Sequence, residues 1–106
     1  MDYELDICDY LNNRDSDDIL IDLRDKIAFG HGSIQGAINI PLDNIKELYQ
    51  LPKNKKIYVF CQKGEFSKQS VELLHDAGYE AYPLSGGYIK WLMQDMKRQE
   101  SQELCK

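Results

Sequence analysis

Three cysteines carry the thiols of this chain: Cys8, Cys61 and Cys105. Odd in number, far apart and without a C-x-x-C pair, they suggest neither a zinc site nor a thioredoxin-type redox motif. Cys8 lies in a helical pattern and Cys105 in a polar stretch, so both read as structural. Cys61 differs. It directly follows the apolar run Ile57-Tyr58-Val59-Phe60, and only Gln62-Lys63-Gly64-Glu65-Phe66 separates it from a helix beginning at about Ser67. A sulfur at the carboxyl end of a strand, facing the positive end of a helix, meets converging backbone amides that favour the nucleophilic thiolate. Such a loop can activate a cysteine without a neighbouring His base. A free cysteine at a strand end is otherwise most often a small buried hydrophobe. Against burial, Gly64 and the polar Gln62, Lys63 and Glu65 have the composition of a surface loop. Asp22 and Arg24, at a strand end near a glycine-rich stretch, read as charges that hold a loop by hydrogen bonds rather than as an acid–base pair. His31 is read as a loop residue without a catalytic duty.

The elements that must position Cys61 follow from apolar patterning. Ile19-Leu20-Ile21-Asp22-Leu23 and Ile57 to Phe60 are short, nearly continuous apolar runs, as expected of strands covered on both faces. Tyr3 to Leu5, Ala37 to Ile40 and Glu80 to Leu84 read as further strands. Asp6 can cap a helix turning Ile7, Tyr10 and Leu11 inward. Asp25 to Gln35, crowded with glycines, reads as an irregular loop with at most one helical turn. A helix from Asp43 or Asn44 runs through Tyr49 and ends before Pro52, and another runs from Ser67 to Ala77 with Gly78 as its stop. After Ser85-Gly86-Gly87 comes a helix with Ile89, Leu92, Met93 and Met96 on one face. Gly86 and Gly87 are expected to allow close backbone approach or positive φ beside the loop of Cys61. Tyr88 and Trp91 are read as core aromatics. Strands alternating with helices predict an α/β fold, a mainly parallel sheet of about five strands with helices on both faces.

Composition bounds the rest. The chain has 106 residues, 42% hydrophobic and 29% charged, which suits one compact domain and leaves too little for two independent cores. That domain is expected over residues 1–98, with 99–106 as a polar tail. Asp, Glu, Lys or Gly interrupts every apolar stretch well short of the roughly 20 residues a membrane-spanning helix needs; no membrane partner is expected. The start MDYELDICDY carries acids where a secretory signal places Lys or Arg before an apolar run. A cytoplasmic location is expected, and with it no structural disulfides. Thirteen basic residues against eighteen acidic ones give a net charge of −5, which opposes binding to phosphate backbones, so nucleic acid is not an expected partner.

Four separated stretches, in order, resemble the single-domain rhodanese family of sulfurtransferases. Ile21-Asp22-Leu23-Arg24 resembles the family's D-x-R signature, and Gly32-Ser33-Ile34-Gln35-Gly36-Ala37-Ile38-Asn39-Ile40-Pro41 resembles G-H-I-P-G-A-x-N-I-P. Cys61 to Ser67 resembles the active-site loop C-x-x-G-x-R-S. Leu84-Ser85-Gly86-Gly87-Tyr88, with Trp91, resembles L-x-G-G-y-x-x-W. The resemblance implies that Cys61 attacks a sulfur donor, carries a persulfide and passes the outer sulfur to a thiophilic acceptor, with the amides from Gln62 to Ser67 cradling the negative charge. It implies no metal and no organic cofactor, and as partners a small-molecule or protein persulfide donor and a thiol acceptor. Related folds acting on phosphate or arsenate have a longer loop ending in Arg; here that position is Ser67.

The chain departs from the family at Phe66, where a basic residue is usual. A phenyl ring offers no charge-assisted hydrogen bond to an oxyanion, so a persulfide or polysulfide is expected ahead of thiosulfate as donor. Lys63 can supply part of the missing charge. With Ser67 as N-cap, Phe66 and Val71 would form a hydrophobic staple; Phe66 as a substrate wall is the compatible alternative. The family's His in G-H-I is Ser33. The alternatives to an enzyme are a sulfur-relay module and a noncatalytic rhodanese-like interaction module.

Overall fold

The computed structural model describes residues 5–104, with side chains described through residue 98. Tyr3, the expected start of the first strand, and Cys105 lie outside the described residues. Five strands, β1 (Leu5–Asp6), β2 (Ile19–Asp22), β3 (Ile38–Asn39), β4 (Ile57–Phe60) and β5 (Ala81–Ser85), form one sheet in the order β1-β5-β4-β2-β3. Every pairing is parallel. The helices are α1 (Ile7–Asn12), α2 (Lys26–His31), a 3₁₀ helix (Leu42–Gln50), α3 (Ser67–Asp76) and α4 (Gly87–Leu104).

Side-chain alternation along the strands builds two cores. Ile57, Val59 and Cys61 share one with Ile21, Leu48 of the 3₁₀ helix, and Val71 and Leu74 of α3. Tyr58 and Phe60 face the other, with Leu20, Leu84, Ile7 and Tyr10 of α1, and Tyr88 of α4. All four residues of β4 are buried, which is why that stretch of sequence is apolar without interruption.

Two elements differ from expectation. The stretch after β2 contains α2, six residues long, because the Asp25 carboxylate caps it by accepting from the Ala28 amide at 2.8 Å. The helix expected from Asp43 or Asn44 is instead a 3₁₀ helix following Pro41, with no side-chain cap and non-helical backbone at Asn44. On α4 the face carrying Ile89, Leu92, Met93 and Met96 turns outward, those residues being 38%, 37%, 56% and 54% exposed. Tyr88 and Trp91 pack on the sheet side, in the core role read for them from the sequence. The turn Gly86-Gly87 sets this rotation: the Tyr88 amide donates to the Cys61 carbonyl at 2.9 Å and the Ile89 amide to the Gln62 carbonyl at 3.1 Å. Beyond residue 98 the polar stretch extends this helix to Leu104.

Asp6 caps α1, accepting from the amides of Cys8 at 3.0 Å and Asp9 at 3.1 Å, and also pairs with Lys90 of α4. The Lys90 hydrogen bond, opposed by desolvation and assisted by the helix amides, holds the Asp6 carboxyl below the usual carboxylate range. A depressed carboxylate stabilises the fold above its unfolded pKa, and that contribution disappears as pH falls through the folded value. Lys90→Met should therefore raise the Asp6 titration midpoint, read by NMR, and flatten the acid limb of the stability curve. An unmoved midpoint would show that Lys90 contributes nothing to Asp6.

Candidate active site

β2 is flanked by β3 on one side and β4 on the other, with β5 beyond β4. The connections leaving the carboxyl ends of β2 and β4 therefore diverge and leave a crevice, where parallel α/β sheets bind ligands. The register sets Asp22 opposite Phe60, and the Leu23 amide donates to the Phe60 carbonyl at 2.9 Å. Arg24 and Cys61 are thereby brought to the same end of the sheet.

Cys61 is 3% exposed, and its Sγ accepts from the Gly64 amide at 3.0 Å and from the Phe66 amide at 3.4 Å. The loop can curl back so tightly because Gly64 has φ +92°, a left-handed conformation open chiefly to glycine. Two amide dipoles aimed at one sulfur favour negative charge on it. Ser67 does not cap α3. It is the first helical residue, Phe66 holds the cap position, and the Ser67 hydroxyl donates to the Gly64 carbonyl at 3.1 Å. Val71 thus falls one position beyond the staple site. Phe66, 43% exposed, stands instead in the wall of the crevice.

The crevice is a cleft of about 350 Å³ with Cys61 in its lining. Leu23, Ala28, Pro41, Leu42 and Phe66 supply its apolar wall, and Arg24, Asp25, Asp43, Gln62 and Glu65 its polar part. Of the predicted loop residues, Cys61, Gln62, Glu65 and Phe66 meet there. Lys63, Gly64 and Ser67 line a separate depression with Lys68 and Gly86, so Lys63 does not replace the missing charge inside the cleft. Asp25, Ala28, Leu42 and Asp43 were not anticipated. They reach the cleft from the connections after β2 and β3, and no local pattern marks that convergence.

Asp22 and Arg24 brace the site. Arg24 Nη2 meets Asp22 Oδ2 at 2.8 Å and donates to the Gly32 carbonyl at 2.6 Å, while its Nε lies 3.1 and 3.2 Å from the two Asp22 oxygens. The fully buried Asp22 carboxylate accepts further from the Arg24 amide at 2.9 Å and the Ser33 hydroxyl at 2.7 Å. Asn39 Nδ2 donates to the Asp22 and Arg24 carbonyls. The guanidinium lies 3.8 Å from the Tyr88 ring centroid, a cation–π contact tying the end of β2 to α4. Tyr88, Ser33 and Asn39 thus support the site in ways only the three-dimensional packing displays. Behind the loop, Gly87 has φ +67°, and a Cβ there would stand 2.6 Å from the Gln62 oxygen and 2.8 Å from the Cys61 oxygen.

Cys8 is half-buried on α1, and burial, with Asp6 nearby, pushes its thiol above the ordinary range. His31, at the end of α2, is exposed. Among the described residues no group of three or more His, Cys, Asp or Glu side chains is placed to hold a metal ion, and no helix is long and apolar enough to cross a membrane.

Comparison with known proteins places this arrangement among relatives. The family model described as Rhodanese-like domain matches residues 8–94. The adenylyltransferase and sulfurtransferase UBA4 of Meyerozyma guilliermondii is 33% identical over 100 residues, 85% of this chain and 24% of that protein; the chain spans about a quarter of that relative. Thiosulfate sulfurtransferase PspE of Escherichia coli is 37% identical over 80 residues, 73% of this chain and 77% of PspE. The crystal structure of a rhodanese-like domain protein from Staphylococcus aureus is similar at 29% identity and a TM-score of 0.75, covering 86% of this chain and 91% of that one.

Proposed function

The chain belongs to the rhodanese-like domain family, and from that premise we propose that it is a cytoplasmic sulfurtransferase carrying sulfane sulfur on Cys61 as a persulfide. The observation that carries this reading is the Cys61 sulfur, held in a cleft wall with two loop amides donating to it. In the loading step the Cys61 thiolate attacks the outer sulfur of a donor R–S–SH. The Sγ–S bond forms as the S–S bond of the donor breaks, and the thiolate RS⁻ leaves and takes up a proton. In the discharge step an acceptor thiolate attacks the outer sulfur and Cys61 leaves as thiolate. Each S–S bond broken is replaced by one formed, so no external oxidant or reductant is consumed. The loop amides hold the negative sulfur in both steps, at fixed positions that need no reorganisation. Asp22, Arg24, Gly86 and Gly87 position the loop. The working unit is residues 1–98, with α4 running on to Leu104.

The names of PspE and UBA4 support sulfur transfer as the reaction class. A relay to a protein acceptor is the second reading, favoured by the exposed Phe66 and Leu42 at the cleft, where a partner surface can rest. A noncatalytic interaction module has less support, because it gives the Gly64 and Phe66 amides no reason to converge on a thiol.

Turnover of polysulfide with a thiol acceptor tests the proposal. Cys61→Ser should fall to the background rate, while Cys8→Ser retains turnover. Activity persisting in Cys61→Ser would end the proposal. A protein acceptor outrunning a small thiol at equal concentration would select the relay.

A further inference from the structure

Resting on the reading of Cys61 as a sulfur carrier, we propose that the cleft sorts donors by charge: it takes sulfane sulfur from carriers neutral or positive beside the S–S bond and turns away oxyanions, with Asp25, Asp43 and Glu65 as the specificity-determining residues. All three carboxylates line the cleft and are exposed at its mouth. Among the described residues that line the cleft, Arg24 is the only Lys or Arg. Its charge is matched by Asp22, and its Nε and Nη2 are engaged by Asp22 and the Gly32 carbonyl. Lys63 borders the other side of the loop. Where an arginine fork would meet an anion, Phe66 presents a ring. The net charge of −5 adds a field of the same sign.

The amides that do attract negative charge, those of Gly64 and Phe66, are directed at Cys61 Sγ itself. They serve the thiolate and the persulfide that replaces it, so an anionic donor must cross an acidic mouth to meet a sulfur that itself reacts as an anion. Leu23, Pro41, Leu42 and Phe66 offer apolar surface to the hydrocarbon stem of a thiol carrier. An oxyanion has no such stem. The combination favours a persulfide borne on an aliphatic carrier with a neutral or cationic substituent.

The test uses the full chain and four donors: the persulfides of cysteamine (cationic), 2-mercaptoethanol (neutral) and 3-mercaptopropionate (anionic), and thiosulfate. The rate of Cys61 loading is measured for wild type and for the triple variant Asp25→Asn/Asp43→Asn/Glu65→Gln. In that variant the amide oxygen introduced by Asp25→Asn remains an acceptor for the α2 cap. The ratio of wild-type to variant rate removes each donor's intrinsic reactivity, and division by the 2-mercaptoethanol ratio removes general effects on the loop. The normalised ratio should be above one for cysteamine persulfide and below one for the two anions, spanning about tenfold from cation to anion. Added salt should shrink the span in wild type, a measurement that does not depend on the variant. Phe66→Arg should move the ranking further toward thiosulfate. Equal normalised ratios and a salt-independent ranking would overturn the charge filter and leave the sulfur-carrier reading standing. Failure of every donor to load Cys61 in wild type would remove the carrier reading, and the filter with it.

Discussion

Replacing Arg24 with Met should destabilise the fold by about 3–5 kcal/mol, the usual cost of breaking a buried ion pair by removing one partner. Met keeps much of the aliphatic stem, so the loss reports the guanidinium. The Asp22 carboxylate is fully buried, and without Arg24 it loses the Nε and Nη2 hydrogens and keeps the backbone amide of residue 24 and the Ser33 hydroxyl. A carboxylate left short of partners in a core either pays desolvation or takes up a proton. The Gly32 carbonyl and the Tyr88 ring lose their contacts at the same time. Chemical denaturation of wild type, Arg24→Met and Arg24→Met/Asp22→Asn measures this. The double variant should recover part of the loss, because the stranded charge is gone. A single-variant loss under about 1 kcal/mol, the scale of an exposed pair, would mean that the bridge does not hold the end of β2.

Gly87→Ala should be the most damaging of the chain's glycine-to-alanine changes. The new Cβ would stand 2.6 Å from the Gln62 oxygen and 2.8 Å from the Cys61 oxygen, in a backbone conformation at φ +67°. Overpacking typically costs roughly 1–3 kcal/mol, and the left-handed conformation adds about 1–2 kcal/mol for a residue with a Cβ. The opposing atoms are backbone, so relief requires moving the Cys61-Gln62 peptide itself. Loading of Cys61 should slow as well, since that peptide sets the sulfur against the Gly64 and Phe66 amides. Gly30→Ala is the matched control: its Cβ meets nothing within 4 Å and its φ is not positive. Equal stability losses in the two variants would contradict the close-approach account of Gly87.

The strands that build the site were legible where burial on both faces leaves a plain mark. The apolar runs of β2 and β4 and the Asp6 cap can be read from residue type alone, because each depends on neighbours in sequence. The rotation of α4 was legible only in part. Ile89, Leu92, Met93 and Met96 make a stripe at helical spacing, but Tyr88 and Trp91 lie on a second face, and periodicity does not say which face meets the sheet. The hydrogen bonds from the Tyr88 and Ile89 amides to the loop of Cys61 decide it. The cleft was half legible. Cys61 and its loop stand together in the sequence, whereas Asp25 and Asp43 reach the same space only because strand order sends the connections after β2 and β3 past the end of β4. The side of the loop on which Lys63 lies was likewise hidden. It follows from how Gly64 turns the chain.

The central claim is that one sulfur atom rides on Cys61. Treating the protein with polysulfide, blocking free thiols and mapping peptides by mass spectrometry under nonreducing conditions asks this directly. The account predicts the added mass of sulfur on the peptide containing Cys61, its absence there in Cys61→Ser, and its disappearance when a thiol acceptor is added. Sulfur found only on the peptides of Cys8 or Cys105, or total loading unchanged in Cys61→Ser, would contradict it.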